Sequence, residues 1–350
     1  MSIRTYREAL SDAMQSALSE NEKAFVIGQG VTDHKGIFGT TDALQSDYSD
    51  RLIETPIAED SIAGICLGAA LNGMYPINTH IRADFGLLIF NQLINLAAKY
   101  KYMFGGLFEV PAMFRMVIGR SWGQGAQHSQ SLQSLLSHIP GLVVVMPSSP
   151  NSIEGAYREA VNHHRGPVVM LEHRLMYDLT FDEQDGDKTG LFGSRLVKEG
   201  KDLTIVATSV MVLEAIRAQS HLQLMGVDAE VIDVHCISHP DHDLIFESVK
   251  KTGRLLIVDT SWIQFGVSAE IARVICEKDP SVLRGPVKSL GMAASPCPTA
   301  KALEDLYYPD VNDIVTESLS LVGMSEVVDR TLIPQKQSMT DFYKHFKGPF

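Results

Sequence analysis

Apolar residues along this chain concentrate in short strand-like runs separated by longer stretches of helical period. The runs are Ala24 to Ile27, Tyr75 to Ile81, Ala112 to Ile118, Leu142 to Met146 and Pro167 to Leu171. Short, mainly apolar runs of this length predict strands buried on both faces. Between them, Ser61 to Leu71, Leu87 to Tyr102 and Ile153 to His163 repeat their apolar positions at helical spacing. A first helix is announced by Thr5-Tyr6-Arg7-Glu8, a capping-box pattern, followed by Ala9, Leu10, Ala13, Met14 and Leu18. The first strand runs into Gly28-Gln29-Gly30, a tight turn. Strands that alternate with helices predict a parallel sheet covered on both faces.

The alternation lapses after Leu171. Phe181 to Gly193 is acidic, glycine-containing and has no apolar stripe, which reads as an interdomain connection. It resumes with strands at Asp202 to Ala207, Val227 to Val234, Arg254 to Val258 and Val287 to Leu290. Helices are expected at Val210 to Met225, Asp243 to Thr252 and Ser268 to Glu277. The expected fold is therefore α/β, as two three-layer α/β/α domains with mainly parallel sheets. Residues 1–180 form the first domain, 181–194 a linker, 195–316 a smaller second domain and 317–350 a C-terminal tail. The tail holds Phe342, Tyr343, Phe346 and Phe350. Rings of this size are costly to leave in water, so the tail either lies over its own surface or grips a neighbouring subunit.

Composition narrows the function. A chain of 350 residues suits two cores rather than one. The net charge of −12 argues against a nucleic-acid partner, because phosphate recognition needs clustered lysine and arginine. No stretch is apolar for long enough to predict a membrane span, and the first residues lack the apolar centre of a secretory signal. Cys66, Cys236, Cys276 and Cys297 are scattered and lack metal-ligand spacing, which fits a reduced, cytoplasmic chain.

Three segments can carry chemistry. Thr55-Pro56-Ile57-Ala58-Glu59-Asp60 places two acids before an apolar, small-residue helix. Acids are favoured at a helix N-terminus for structural reasons. The helix behind them is too apolar to face water, so Glu59 can instead stand at the edge of a buried site. Ala83-Asp84-Phe85 opens the next helix; Asp84 can cap it, and Phe85 is either core or a surface on which a ring stacks. The third is the glycine-containing stretch Gly119 to Ser131, in which Gln127-His128-Ser129-Gln130 offers a titrating side chain at a helix start.

In this order, together with Asn95-Leu96-Ala97-Ala98-Lys99-Tyr100-Lys101-Tyr102 and Ile139-Pro140-Gly141-Leu142, these segments resemble a known family. It comprises the β-subunits of thiamine-diphosphate-dependent 2-oxo acid dehydrogenase components, acting on pyruvate, branched-chain 2-oxo acids or acetoin. Glu247 to Gly253 and Ala300 to Asp305 continue the likeness, which spans roughly residues 4 to 316. It implies a transketolase-like pyrimidine-binding domain followed by a transketolase C-terminal domain. It also implies a cofactor shared with an α-subunit, which binds Mg2+ and the diphosphate through a Gly-Asp-Gly motif. Here Gly186-Asp187 is followed by Lys188, so no metal ligand is expected in this chain.

The resemblance makes Glu59 the activating carboxylate, which on the pyrimidine nitrogen favours the imino tautomer that takes the thiazolium proton. Phe85 matches the residue stacked on the pyrimidine. Ile57 lines the same pocket, and His128 lies near the reacting centre as a substrate-orienting or proton-shuttling group. An α2β2 assembly is implied, with a lipoyl acyltransferase as a further partner.

Four departures from the family pattern stand out. Gln29 replaces an acid after the first strand, which removes a link expected between paired active sites. His163 and Arg165 stand where a structural potassium ion is held, so none is expected. Arg82 replaces an apolar residue, which suggests either an anionic substrate group or a solvent-facing or intersubunit salt bridge. The tail exceeds the family's usual end, where the acyltransferase docks. A split transketolase-like enzyme, moving a two-carbon or acyl unit to an aldehyde, is the alternative function. A subunit that regulates without chemistry is disfavoured by the joint presence of Glu59, Phe85 and His128.

Overall fold

The computed structural model describes residues 2–119, 124–183, 189–326 and 329–343. Its centre is a six-stranded sheet built from β2 (Ala24–Gly28), β3 (Leu52–Glu54), β4 (Tyr75–His80), β5 (Ala112–Ile118), β6 (Val143–Val145) and β7 (Pro167–His173). The order is β3-β2-β4-β5-β7-β6, with every neighbouring pair parallel. β2, β4, β5 and β7 are buried along their whole length, which is why their runs are mainly apolar, with Asn78, Thr79, His80, Arg115, Glu172 and His173 as buried polar exceptions.

The second sheet is built from β9 (Arg195–Lys198), β10 (Leu203–Ala207), β11 (Ala229–Asp233), β12 (Leu255–Trp262) and β13 (Lys288–Met292), in the order β13-β12-β10-β11-β9. Only β9 runs antiparallel to its neighbour. The two α/β units share buried apolar residues such as Val144 and Val234, and hydrogen bonds cross between them: the Ile237 amide donates to the Val144 carbonyl at 2.8 Å, and the Ser148 hydroxyl to Asp233 at 2.6 Å.

Helices cover both sheets. α1 (Tyr6–Glu20) carries the expected capping box, Thr5 accepting from the Glu8 amide. It packs against α4 (Pro150–Asn162), which presents Ile153, Ala156, Tyr157 and Ala160 to the core. α2 (Glu59–Leu71) begins two residues before the apolar pattern does. The expected single helix from Leu87 to Tyr102 is instead three pieces. A 3-10 segment spans Ala83–Ile89, a π segment Asn91–Ala97, and α3 Ala98–Met103. The wider π turns shift the helical phase, and Ile89, Leu93 and Ala97 still reach the core.

The acidic connection is anchored at both ends, and the expected start of the tail needs correction. β8 (Thr180–Glu183) pairs antiparallel with β1 (Ser2–Thr5), and Leu191 is buried with its amide bonded to Glu159. Gly186 and Asp187 lie outside the described residues. The tail does not start at Glu317, because the helix Val311–Val322 runs through it to a glycine cap at Gly323. The described part of the tail returns to its own domain. Tyr343 is buried and donates to Glu214 at 2.6 Å, and the Arg217 guanidinium lies over the Phe342 ring. Phe346 and Phe350 lie outside the described residues.

Beneath the C-terminal end of the first sheet lies a fully buried ion pair. Arg115 meets Glu172 through Nε at 2.6 Å and Nη2 at 2.8 Å, and Tyr157 and Tyr177 donate to the same carboxylate. Satisfying every oxygen is what lets such a pair remain charged away from water. Among the described residues, no helix is long and apolar enough to cross a membrane.

Candidate functional site

A parallel sheet exposes its loops at the carboxyl ends of its strands, and ligands settle in the crevice there. At that edge this chain has a cleft of about 1170 Å³. It is lined by the turn after β2, the segment after β3, the end of β4, the His128 loop and the residues after β7. Glu59, Ile57, Phe85, Arg82 and His128, singled out from sequence, all line it.

Glu59 is the first residue of α2. Ala58 before it makes no side-chain cap, so the acids Glu59 and Asp60 complement the open amides of the first turn. Of the two, Glu59 is half-buried and faces the cleft, whereas Asp60 is exposed and does not line it. Ile57 projects at the lip, 74% exposed.

Phe85 sits on the 3-10 segment with 37% of its surface open. The His128 ring meets it edge to face, with centroids 5.3 Å apart and planes inclined by 78°. His128 is held from two sides. The Gln130 amide donates to Asp84 at 3.2 Å, beside Phe85. The second domain fixes the rest of the loop: Ser261 donates to the Ser131 carbonyl at 2.9 Å, and Gln133 to Asp259 at 2.7 Å. Gly125, at φ 65°, lies so close to Thr299 that a Cβ would fall 2.5 Å from its hydroxyl. Only glycine fits that backbone. Burial raises the Asp84 carboxyl above its ordinary range, against the hydrogen bonds from Gln130.

Arg82 lies two residues past the end of β4 and is buried, which removes the solvent-facing reading. Its Nη1 donates to the Gly119 carbonyl at 2.7 Å. Burial lowers its pKa to about 10, the nearby Asp84 acting in the opposite sense.

Two cleft residues escaped the sequence reading. His80 is the last residue of β4, two residues before Arg82, and lines the same cleft. Its Nε2 meets Asn78 Oδ1 at 2.8 Å, and the Asn78 amide donates to the Ile27 carbonyl at 3.3 Å. Asn78 Oδ1 is therefore an acceptor, which places the proton on Nε2 and leaves Nδ1 as the acceptor. Burial pushes the ring's pKa down to about 4, so it is neutral near pH 7. Arg174 follows β7, buried against Phe38 and Tyr177 at 4.5 and 5.2 Å from their ring centroids. The carboxyl end of a buried strand could have flagged both His80 and Arg174.

Where the family pattern has an acid, Gln29 is exposed. The carboxylate of that turn comes from Glu54, which accepts from the Gly30 amide at 2.6 Å and from the Thr32 amide and hydroxyl at 3.1 Å. Burial pushes Glu54 upward, but these hydrogen bonds outweigh it and hold the carboxyl below its ordinary range. Among the described residues, no cluster of histidine, cysteine, aspartate and glutamate has the form of a metal site.

This two-domain arrangement is that of a transketolase-type chain. Residues 3–180 match the transketolase pyrimidine-binding domain, and residues 193–314 match the transketolase C-terminal domain. A "split gene transketolase, inactive beta4 tetramer" shares the fold at a TM-score of 0.76, with 21% identity over 92% of this chain and 99% of that one. The pyruvate dehydrogenase E1 component subunit beta of Rickettsia felis is 37% identical across 89% of this chain and 96% of its own. The mitochondrial counterpart of Bos taurus is 38% identical across 89% and 88%. The acetoin:2,6-dichlorophenolindophenol oxidoreductase subunit beta of Cupriavidus necator is 33% identical across 87% and 94%. The chain belongs to the family of E1-component β-subunits, whose enzymes use thiamine diphosphate.

Proposed function

We propose that this chain is the pyrimidine-binding half of a two-chain thiamine-diphosphate enzyme that decarboxylates a 2-oxo acid oxidatively or cleaves acetoin. The observation that carries this reading is the meeting of Glu59, Phe85 and His128 in one cleft. An exposed aromatic face beside a half-buried carboxylate suits a flat heterocycle with a basic ring nitrogen, so these residues fit the cofactor's pyrimidine. When bound, the cofactor supplies an electron sink for the carbanion formed at the substrate carbonyl.

The chain's own residues have separate tasks. The Glu59 carboxylate hydrogen-bonds the pyrimidine nitrogen and holds the proton there. Phe85 supports one ring face, with Ile57 at the lip excluding water. His128, edge-on to Phe85, orients the substrate or carries a proton at its ring nitrogen. The diphosphate and Mg2+ fall to an α-subunit bearing a Gly-Asp-Gly motif, in a cytoplasmic α2β2 assembly able to pass its product to a lipoyl acyltransferase. The basic Arg82 in the cleft also favours a second reading, a split transketolase-like transfer of a two-carbon or acyl unit to an aldehyde.

The test is co-expression with an α chain carrying that motif. The pair is assayed with thiamine diphosphate against 2-oxo acids, acetoin and ketoses. Turnover of a 2-oxo acid or acetoin that requires both chains is expected. Turnover of ketoses with aldehyde acceptors alone would select the second reading, and a pair inactive on every substrate would remove both.

A further inference from the structure

The deep charges of the cleft have an unexpected sign. Of the formally charged side chains that line it, Asp33, Lys35 and Asp42 are exposed and Arg7, Glu59 and Asp178 half-buried, whereas Arg82 and Arg174 are buried. Asp178 is shared, lying 3.1 Å from Arg7 and 4.0 Å from Arg174. Arg82 and Arg174 follow β4 and β7, the strands on either side of β5, and repel each other at the edge of the sheet. Burying two guanidiniums beside one open cleft carries a desolvation cost that a bound anion offsets.

We propose that Arg82 and Arg174 together bind a second anionic group, a carboxylate or phosphate-type oxyanion, on the substrate's distal end. The inference rests on the reading of the site as a thiamine-dependent one. The carboxylate attached to the 2-oxo carbon is not the group they hold. That carboxylate leaves as carbon dioxide, and two guanidiniums gripping it would stabilise the reactant more than the transition state. A group that stays on the product carries no such penalty. Arginine is also the side chain whose planar fork matches both carboxylate and phosphate geometry. The proposal makes Arg82 and Arg174 specificity-determining residues rather than catalytic ones.

The experiment uses the chain assembled with its α partner. Two matched pairs of acids are compared: 2-oxoglutarate with 2-oxohexanoate, and 3-phosphonopyruvate with 2-oxobutyrate. The first pair tests a distal carboxylate, the second a phosphonate. In at least one pair the doubly anionic acid should be favoured by about tenfold or more in kcat/KM. Arg82→Met and Arg174→Met should erase that preference through KM, with kcat for the apolar acid changed less than about threefold. Arg82→Lys, which keeps the charge and loses the fork, should retain part of it. Calorimetric titration of the wild-type pair with the same four acids gives a readout that needs neither turnover nor a variant. Equal affinities within both pairs, or a preference that survives Arg82→Met, would overturn the proposal. Deuterium exchange at the thiazolium C2 position reports separately on cofactor activation. Exchange without anion preference sinks this proposal alone. Absent exchange sinks the reading of the site, and the wild-type titration still decides the anion site.

Discussion

The Phe85 and His128 rings meet edge to face, with centroids 5.3 Å apart and planes at 78°. They come from the segments that follow β4 and β5 and are brought together at the sheet edge. Such a pair contributes about 0.5–1.5 kcal/mol beyond its burial. Phe85→Ala should therefore weaken thiamine diphosphate binding by about tenfold, losing both the stacking face and the edge contact. His128→Ala alone should have a smaller effect on cofactor affinity. The double variant should lose less than the sum, because the two rings touch. Cofactor titrations of the assembled pair measure this, and strictly additive losses would show that the rings act independently.

Glu59 and Asp60 separate the structural role of an acid at a helix start from a chemical one. Both complement the N-terminus of α2, and only Glu59 lines the cleft. Each change to the amide should cost at most about 1 kcal/mol of stability through the lost dipole interaction. Glu59→Gln should lower kcat by about 10²–10⁴-fold, the usual scale of a positioned acid–base group, and leave assembly intact. Asp60→Asn should leave turnover unchanged. Near-normal activity in Glu59→Gln would return Glu59 to the capping role.

His80 gives the stability of this chain a calculable pH dependence. Its folded pKa is pushed down to about 4 by burial, from an ordinary value of 6.5. Between these values the unfolded chain holds the proton and the folded chain does not, so stability rises with pH through that window. Burial also lowers the pKa of His164, His235, His239 and His242, which act in the same sense. Denaturant unfolding at pH 7 and pH 5 should show a loss on acidification, of which about 2 kcal/mol belongs to His80. In His80→Asn that loss should shrink by this amount. A variant with the wild-type pH slope would mean that the buried ring is protonated in the folded state.

Much of the fold was legible because the physics that buries a parallel strand also writes a short, mainly apolar run. The strands from Ala24, Tyr75, Ala112 and Leu203 were placed to within a residue or so. The short edges β1, β3, β8 and β9 were not read, since three or four half-exposed residues carry no period. Glu59 was readable as a first-turn acid, yet its turn toward the cleft and Asp60's turn away depend on tertiary packing. The broken helix from Ala83 to Met103 was hidden for another reason. π and 3-10 turns use ordinary helix-forming residues, so only the backbone reveals the phase shift. Arg82 showed its charge in the sequence but not its burial, and burial is what gives that charge meaning.

The tail poses a choice between a strap on its own domain and an arm for a neighbour. In this chain Tyr343 donates to Glu214, whose buried carboxylate also receives Arg217 at 2.7 and 3.0 Å. Around it, Lys336 bonds Asp313, the Gln337 amide donates to Asp310 at 2.9 Å, and the Asn312 amide donates to the Pro334 carbonyl at 2.7 Å. These contacts all fall on the second domain. Tyr343→Phe removes one hydrogen bond to a buried charge, which should cost about 1–2 kcal/mol because Arg217 remains. Deleting residues 329–350 should cost more, since it uncovers the helices beneath. Thermal melting of the chain alone should therefore fall in both variants, without reference to any partner. An arm that only grips a neighbour predicts the reverse: unchanged melting of the single chain and a weakened assembly by sedimentation. A melting temperature unaffected by the deletion would assign the tail to the neighbour.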